Sequence, residues 1–210
     1  MLNSTNWVQN TLAMVLFFVT LSISIRAFIV YAKADSPRLL ILGIAMGVIG
    51  LTALADFLSS NISTITLDTD WFLFLGQSAS FLFIALSLFR NTTGYFRILT
   101  RTQILITALL ICLLLLSPTL PALPSLGLEV VLSSSRILFC LAIFFFYISA
   151  YMSKHTRFSL LMGISFLLLT FGYLVLIQKY FSSYGDLLDN TGDFIRIAGL
   201  IVLFFTTLVG

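Results

Sequence analysis

The sequence predicts an all-α integral membrane protein, folded as a bundle of seven transmembrane helices. Hydrophobic residues fill 60% of the 210 positions and charged residues only 9%, whereas soluble domains average about 45–50% and about 25%. Apolar runs of about 20 residues, enough to cross a hydrocarbon core of about 30 Å, use nearly the whole chain. We therefore expect residues 1–210 to form a single transmembrane domain.

Charged residues, prolines and polar clusters bound the seven apolar runs. We predict spans near residues 8–31, 38–58, 71–90, 102–120, 126–152, 157–179 and 190–209. Span one follows the polar, uncharged segment Met1 to Trp7, which lacks the basic region of a cleaved signal peptide and is expected to be retained. Span two begins at Asp35-Ser36-Pro37, because Asp or Ser caps free amide groups and Pro fits the first turn.

The later spans are separated in the same way. Span three follows the acidic pair Asp68 and Asp70, and span four begins after the basic stretch that ends at Arg101. Prolines end span four, because proline removes a backbone donor and clashes with the preceding turn; they are Pro118, Pro121 and Pro124. A basic connection between positions 154 and 157 separates spans five and six, and a polar stretch between 179 and 189 precedes span seven.

Basic residues are distributed unevenly among the connections. The first, third and fifth connections carry eight Lys and Arg against the single acid Asp35; the eight are Arg26, Lys33, Arg38, Arg90, Arg97, Arg101, Lys154 and Arg157. Acids gather at the other connections, with Lys179 the main basic exception; they are Asp56, Asp68, Asp70, Glu129, Asp186, Asp189 and Asp193. Since basic loops stay in the cytoplasm, we predict an outside N-terminus and a cytoplasmic C-terminus, in a plasma membrane.

Ionisable groups inside a span are costly and usually have a partner or a task. Arg136 is the clearest example, because it lies about ten residues into span five behind three consecutive serines. Other polar residues at comparable depth, in what we predict to be the outer half, are Glu129, Asp56, Gln77, Asp193 and Arg196. Since a guanidinium keeps its proton, we expect Asp56, Glu129 or Asp193 to pair with Arg136. The cluster is either an ion-pair network that fixes helix packing or an outward-open ligand pocket.

Several kinds of chemistry lack the residues they need. The chain has one histidine and two cysteines, too few for a zinc-type centre or paired haem ligands. It has no phosphate-binding glycine loop and no nucleophile beside a base, and span seven has no lysine for a retinal Schiff base. We therefore predict no metal, no cofactor and no enzymatic activity. The net charge of +3 follows from topology and predicts no nucleic-acid partner.

Small residues recur at helical spacing, and four positions match under a shift of 120 residues. Span two carries glycines at 43, 47 and 50, which suit close packing within the bundle. A shift of 120 residues aligns four positions of spans one and two with spans five and six: Tyr31 with Tyr151, Leu40 with Leu160, Gly43 with Gly163 and Ile44 with Ile164. Seven spans in this orientation resemble SWEET-type transporters, whose two three-helix repeats flank a linker helix. The proline-centred motifs of that family are absent from spans one and five.

Two function classes follow. We favour a receptor-like or sensor-like module, or an accessory subunit of a membrane complex, which acts through a membrane or cytoplasmic partner protein. The alternative is a small-solute transporter or channel. A transport path needs polar groups along its whole length, whereas polar residues here concentrate in one half. The basic face is expected to contact anionic lipid headgroups.

Overall fold

The computed structural model describes residues 4–61, 69–89, 92–117, 126–178, 180–181 and 185–209, and the regular structure in these ranges is helical. Seven helices follow one another: α1 (Ser4–Ala34), α2 (Pro37–Asn61), α3 (Asp70–Phe89), α4 (Thr93–Leu115), α5 (Leu126–Lys154), α6 (Arg157–Gln178) and α7 (Gly185–Val209). All seven are long and apolar enough to cross a membrane. The protein is therefore an all-α integral membrane protein, as its composition predicts.

Helix α4 begins earlier than the apolar run that we predict as span four. Helix α4 begins at Thr93, well before position 102, and its first turns include the exposed residues Arg97 and Arg101. A hydropathy pattern detects the apolar part of a helix, whereas the hydrogen-bonded helix continues into the headgroup region. Long basic side chains suit that region, because their stems cover apolar surface while their charges stay in water. Helix α7 likewise begins at Gly185, before the predicted position 190.

Some of the sequence predictions lie outside the residues or side chains that the structure describes. They concern Asp68, Arg90, Pro118, Pro121, Pro124, Lys179 and the side chain of Asp186.

Six of the helices form a closed ring. Around it, α1 packs on α2, α2 on α3, α3 on α5, α5 on α6, α6 on α7, and α7 on α1. Helix α4 lies outside the ring, against α2 and α3. The ring interior is filled by an apolar core to which all six helices contribute; its fully buried members include Met46, Ile49, Ile143, Phe166 and Leu203.

The glycines of α2 pack within the bundle, as predicted. A Cβ atom at Gly43 would lie 3.1 Å from the Phe28 ring of α1, and one at Gly50 would lie 2.9 Å from the Thr20 hydroxyl. The Ser24 hydroxyl donates a 2.7 Å hydrogen bond to the Gly43 carbonyl. Small residues therefore let α1 and α2 approach closely, because a larger side chain would separate them.

The helix pairs α1–α2 and α5–α6 have the same connection, 120 residues apart. Each connection is two residues long and has a residue with positive φ, Asp35 at 46° and His155 at 50°. The Asp35 amide donates to the Tyr31 carbonyl at 2.8 Å, and the His155 amide donates to the Tyr151 carbonyl at 2.7 Å. Each first helix therefore ends in the same left-handed cap, which turns the chain sharply into the next helix.

The packing between helices repeats with the same offset. Gly43 faces Phe28 on α1, and Gly163 faces Ile148 on α5, so both partners are 120 residues apart. On the next interface, a Cβ at Gly76 of α3 would meet Thr52 of α2, and a Cβ at Gly172 of α6 would meet Arg196 of α7. Positions 52 and 172, and positions 76 and 196, are again 120 residues apart. The 120-residue offset that relates Tyr31 to Tyr151 therefore also relates these packing contacts. Helices α1–α3 and α5–α7 are thus two similar halves of the ring, and α4 connects them.

Candidate ligand-binding site

Arg136 lies on the inner side of α5. Its side chain is 5% exposed, and Cys140 and Ile143, four and seven residues further along the helix, are fully buried on the same side. Residues at these spacings share one face of a helix, so the face that buries Arg136 is the face that enters the apolar core. Helix packing therefore places a permanent positive charge inside the ring.

The partner of Arg136 is a neutral side chain. Its Nη1 donates a 2.9 Å hydrogen bond to Oε1 of Gln77 on α3. The same oxygen accepts a 3.3 Å hydrogen bond from the Tyr173 hydroxyl on α6. On its other side, Gln77 Nε2 donates to the Thr52 hydroxyl on α2 at 3.4 Å. One buried amide thus joins four helices of the ring.

Two aromatic rings cover the guanidinium. The Arg136 Cζ lies 4.5 Å from the centroid of the Phe74 ring and 5.5 Å from that of Tyr173. Arg196 on α7 approaches Tyr173 too, with its Cζ 4.7 Å from the centroid. The faces of aromatic rings attract cations, and the attraction is stronger where water is excluded. These rings therefore offset part of the cost of burying the charge.

The expectation of an acidic partner for Arg136 is wrong for the part of the chain that the structure describes. Asp193 instead pairs with Arg196, three residues away on α7, through a 3.1 Å contact. That separation places both groups on one helix face, and the local pair forms at little entropic cost. The structure thus brings together Arg136, Gln77, Asp193 and Arg196 around the Tyr173 ring.

Glu129 and Asp56 have other surroundings. Glu129 lies close to the Tyr180 hydroxyl, in the connection between α6 and α7. Burial, followed by the nearby carboxylate of Glu129, raises the pKa of Tyr180 to about 12. The phenol therefore keeps its proton at neutral pH. Asp56 is half-buried near the end of α2, within electrostatic range of Asp70 and Arg196.

A cavity of about 120 Å³ lies beside Arg136. Its walls are contributed by α3, α5, α6, α7 and the α6–α7 connection; they comprise Phe74, Ser133, Arg136, Tyr173, Leu176, Tyr180 and Asp189. Tyr180 and Asp189 mark its position near the end of the bundle where the acids gather. We call this cavity and its lining residues the Arg136 cavity.

Arg136 has hydrogen-bond donors that lack acceptors. Its Nε and Nη2 are buried and have no hydrogen-bond partner among the residues that the structure describes. A buried donor without a partner costs about 1–3 kcal/mol, and more if the group is charged. Arg136 therefore both lines the cavity and has two donor nitrogens without acceptors, a combination that calls for an explanation such as a bound ligand.

The sequence analysis missed two of the residues that shape the site. Phe74 and Tyr173 were not distinguishable in advance, because aromatic residues occur throughout these apolar helices. Asp189 was recognised only as an acid near one end of the bundle. Gln77 contacts Arg136 and Tyr173, which are 59 and 96 positions away in the sequence. Such contacts depend on the order of helices in the ring.

No metal centre is evident in the described part of the chain. It contains no group of three or more His, Cys, Asp or Glu side chains arranged to hold a metal ion. Cys140 is buried and Cys112 is exposed, and neither is in a disulfide.

Comparison with known protein families, with curated proteins and with solved structures finds no match for this chain. The fold and the Arg136 cavity therefore carry the functional argument by themselves.

Proposed function

We propose that this protein is a non-enzymatic, receptor-like membrane module that binds a polar ligand in the Arg136 cavity. One observation carries the proposal: a fully charged, buried guanidinium lines a cavity while two of its donors lack acceptors. Arg136 does not exchange protons in a reaction, because its side chain stays protonated. Its chemical capacity is to bind and orient an acceptor.

The interior of the ring supports a receptor rather than a transporter. Beyond the Arg136 cavity, large apolar side chains such as Ile143 and Phe166 are fully buried. Buried hydroxyl groups there bond to carbonyls of their own helix, as Ser165 does to Leu161 and Thr206 to Val202. Groups satisfied in this way do not form a polar path, which a small-solute transporter or channel needs.

The proposal includes an orientation. The bundle has a basic end, which carries the α1–α2 and α5–α6 connections, and an acidic end, where Tyr180 and Asp189 lie. If basic connections stay in the cytoplasm, the Arg136 cavity lies towards the outside of a plasma membrane. A ligand then reaches it from outside, while the basic end contacts anionic lipid headgroups or a partner protein.

A thermal-stability screen tests the proposal. The purified protein, an Arg136→Gln variant and an Arg38→Gln variant would be heated with a panel of small polar compounds. Arg38 is the matched control, because it is half-buried and stacked on a ring, with its Cζ 5.6 Å from the Phe96 centroid, but lies at the basic end. A ligand at 100 times its Kd stabilises by about 2.7 kcal/mol, which raises Tm by several degrees.

We expect at least one compound to raise the Tm of the wild type and of Arg38→Gln, but not that of Arg136→Gln. The proposal fails if no compound does so, or if every stabilising compound acts equally on all three proteins. Uptake of such a compound by vesicles that contain the protein would favour the transporter alternative.

A further inference from the structure

We propose that the ligand of the Arg136 cavity is a small monocarboxylate, bound through both oxygens by one edge of the guanidinium. This inference rests on the proposed function, because it names the ligand class for the same site. Three properties of the site carry it: the edge that Arg136 leaves unused, the size and polarity of the cavity, and the charges around it.

The donors of Arg136 are used unequally. Nη1 is engaged by Gln77 Oε1, and the two donors without partners, Nε and Nη2, are neighbours on one edge of the planar group. Two parallel N–H groups on one edge match the two oxygens of a carboxylate, and such paired hydrogen bonds are the strongest that arginine makes. Both nitrogens are buried, so binding through this edge requires the guanidinium to turn towards the cavity.

The cavity limits the size of the ligand. An engineered apolar cavity of about 150 Å³ holds benzene, which has six non-hydrogen atoms. By the same proportion, a volume of about 120 Å³ accommodates about five such atoms, the number in propionate. Phe74, Tyr173 and Leu176 provide apolar wall for a short alkyl group, and the Ser133 hydroxyl lies at the same cavity.

The surrounding charges favour a single negative charge on the ligand. Arg136 supplies one positive charge, whereas the charge of Arg196 is already offset by Asp193 at 3.1 Å. Asp189 lies in the cavity wall, and Glu129 lies close to Tyr180 in that wall. Arg136 can compensate one negative charge on a bound anion, so dicarboxylates and the phosphate dianion would bring a second charge into a largely buried site without a counter-charge and are disfavoured.

Titration with sodium propionate tests the inference, with sodium chloride keeping the ionic strength constant. Binding to the purified protein would be measured by calorimetry and by the shift in Tm. The informative variant is Arg136→Lys, which keeps the charge but removes the two-donor edge. Arg38→Lys is the control at the basic end. Sodium malonate and sodium phosphate are the competing anions.

We expect propionate to bind the wild type and Arg38→Lys with the same affinity and Arg136→Lys at least about tenfold more weakly, since one strong hydrogen bond is worth about that factor. Malonate and phosphate should bind the wild type at least about tenfold more weakly than propionate does. Equal propionate binding by Arg136→Lys, or tighter binding of malonate or phosphate, would overturn the monocarboxylate assignment.

The outcomes separate this inference from the proposed function. If propionate does not bind, but another compound stabilises the wild type and not Arg136→Gln, the ligand class is wrong and the receptor proposal stands. If no compound of either kind binds, both are wrong. Tighter binding of butyrate and octanoate than of propionate, with the same dependence on Arg136, would show that the site takes the head of a fatty acid, and the small-ligand assignment would fail.

Discussion

Arg136 keeps its positive charge in a position from which water is largely excluded, and its surroundings must compensate for the lost hydration. Gln77 provides one strong acceptor, and the Phe74 and Tyr173 rings provide weaker attraction. The Gln77 amide and the two rings carry no charge. A site compensated by neutral groups still attracts an anion, whereas a site already paired with an acid does not. This difference distinguishes a binding arginine from a structural one.

Replacing Gln77 by Leu removes the hydrogen-bond acceptor of Arg136. A hydrogen bond to a charged group contributes about 1.5–3 kcal/mol, and a neutral one about 0.5–1.5 kcal/mol. We expect Gln77→Leu to lower the free energy of unfolding in detergent by about 1.5–3 kcal/mol. Gln103→Leu is the matched control, because Gln103 is equally buried and donates only a neutral hydrogen bond to the Ile41 carbonyl. Equal losses in the two variants would contradict the role given to Gln77.

The sequence was informative about single residues only where a residue contrasts with its surroundings. Arg136 and Gln77 are polar residues within apolar helices, and this contrast identified them. Phe74 and Tyr173 contribute as much to the site, but aromatic residues are common in all seven spans. The expected acidic partner was wrong because the sequence indicates how deep a residue lies in the membrane but not which residues face it across the ring.

At the scale of helices, glycine fixes the distance between α6 and α7. A Cβ at Gly172 would lie 2.5 Å from Arg196 Cγ and 3.0 Å from the Gly192 carbonyl oxygen. A Cβ at Gly199 would lie 3.1 Å from the Ser165 carbonyl oxygen. The two backbones therefore approach as closely as small residues allow. This contact also positions Arg196 against the Tyr173 ring, beside the Arg136 cavity.

We expect Gly172→Ala to separate α6 from α7, because the new methyl group meets backbone as well as a side chain. Overpacking of this kind costs about 1–3 kcal/mol, which would appear as a lower Tm in detergent. Gly94→Ala is the control, because nothing lies within 4 Å of a Cβ at that exposed position of α4. There alanine favours the helix by up to about 1 kcal/mol. A stabilising effect of Gly172→Ala would refute the packing argument.

The number of helices followed from the sequence because hydrophobic length is a local property. Their ends were less predictable, as the early start of α4 shows, since a helix extends beyond its apolar part. The order of helices around the ring, and the position of α4 outside it, depend on packing between distant segments. No local pattern in the sequence encodes that order.

Helix α4 presents two basic side chains at the basic end. Arg97 and Arg101 are four residues apart and both exposed, so they project from one face. Juxtamembrane basic residues contribute about 1 kcal/mol each near an anionic surface. We expect replacement of both by Gln to reduce the retention of anionic lipid by the purified protein, measured by native mass spectrometry. Replacement of both by Lys should not, because the charge is kept. Equal retention by all three proteins would exclude this lipid contact.

For the whole molecule, the site lies between the two halves of the ring, with Phe74 and Gln77 on α3 and the remaining groups on α5–α7. Arg136 corresponds to Leu16 in the first half, Tyr173 to Ala53, and Arg196 to Gly76. The packing is shared between the halves, but these three groups of α5–α7 have no charged or aromatic counterpart in α1–α3. Arg136, Tyr173 and Arg196 are therefore additions to a repeated scaffold, and the position of the site does not follow from the repeat.

The charge asymmetry predicts a topology that cysteine labelling can measure. In a Cys112→Ser background, Gly94→Cys places a thiol at the basic end, and Asp70→Cys places one at the acidic end; both positions are exposed. We expect a membrane-impermeant reagent to label position 70 in intact cells and position 94 only after permeabilisation, because basic connections stay in the cytoplasm. The reverse pattern would overturn the proposed orientation and the outside position of the cavity.

The unfolding free energy of Arg136→Leu, measured in detergent with and without propionate, tests the central claim most directly. If Arg136 binds a ligand, its replacement leaves no buried acid without a counter-charge, and Gln77 still accepts the hydrogen bond from Tyr173. We therefore predict that the variant is at least as stable as the wild type but is no longer stabilised by propionate. A loss of about 3–5 kcal/mol, the cost of breaking a buried ion pair, with propionate still stabilising the variant, would contradict the account.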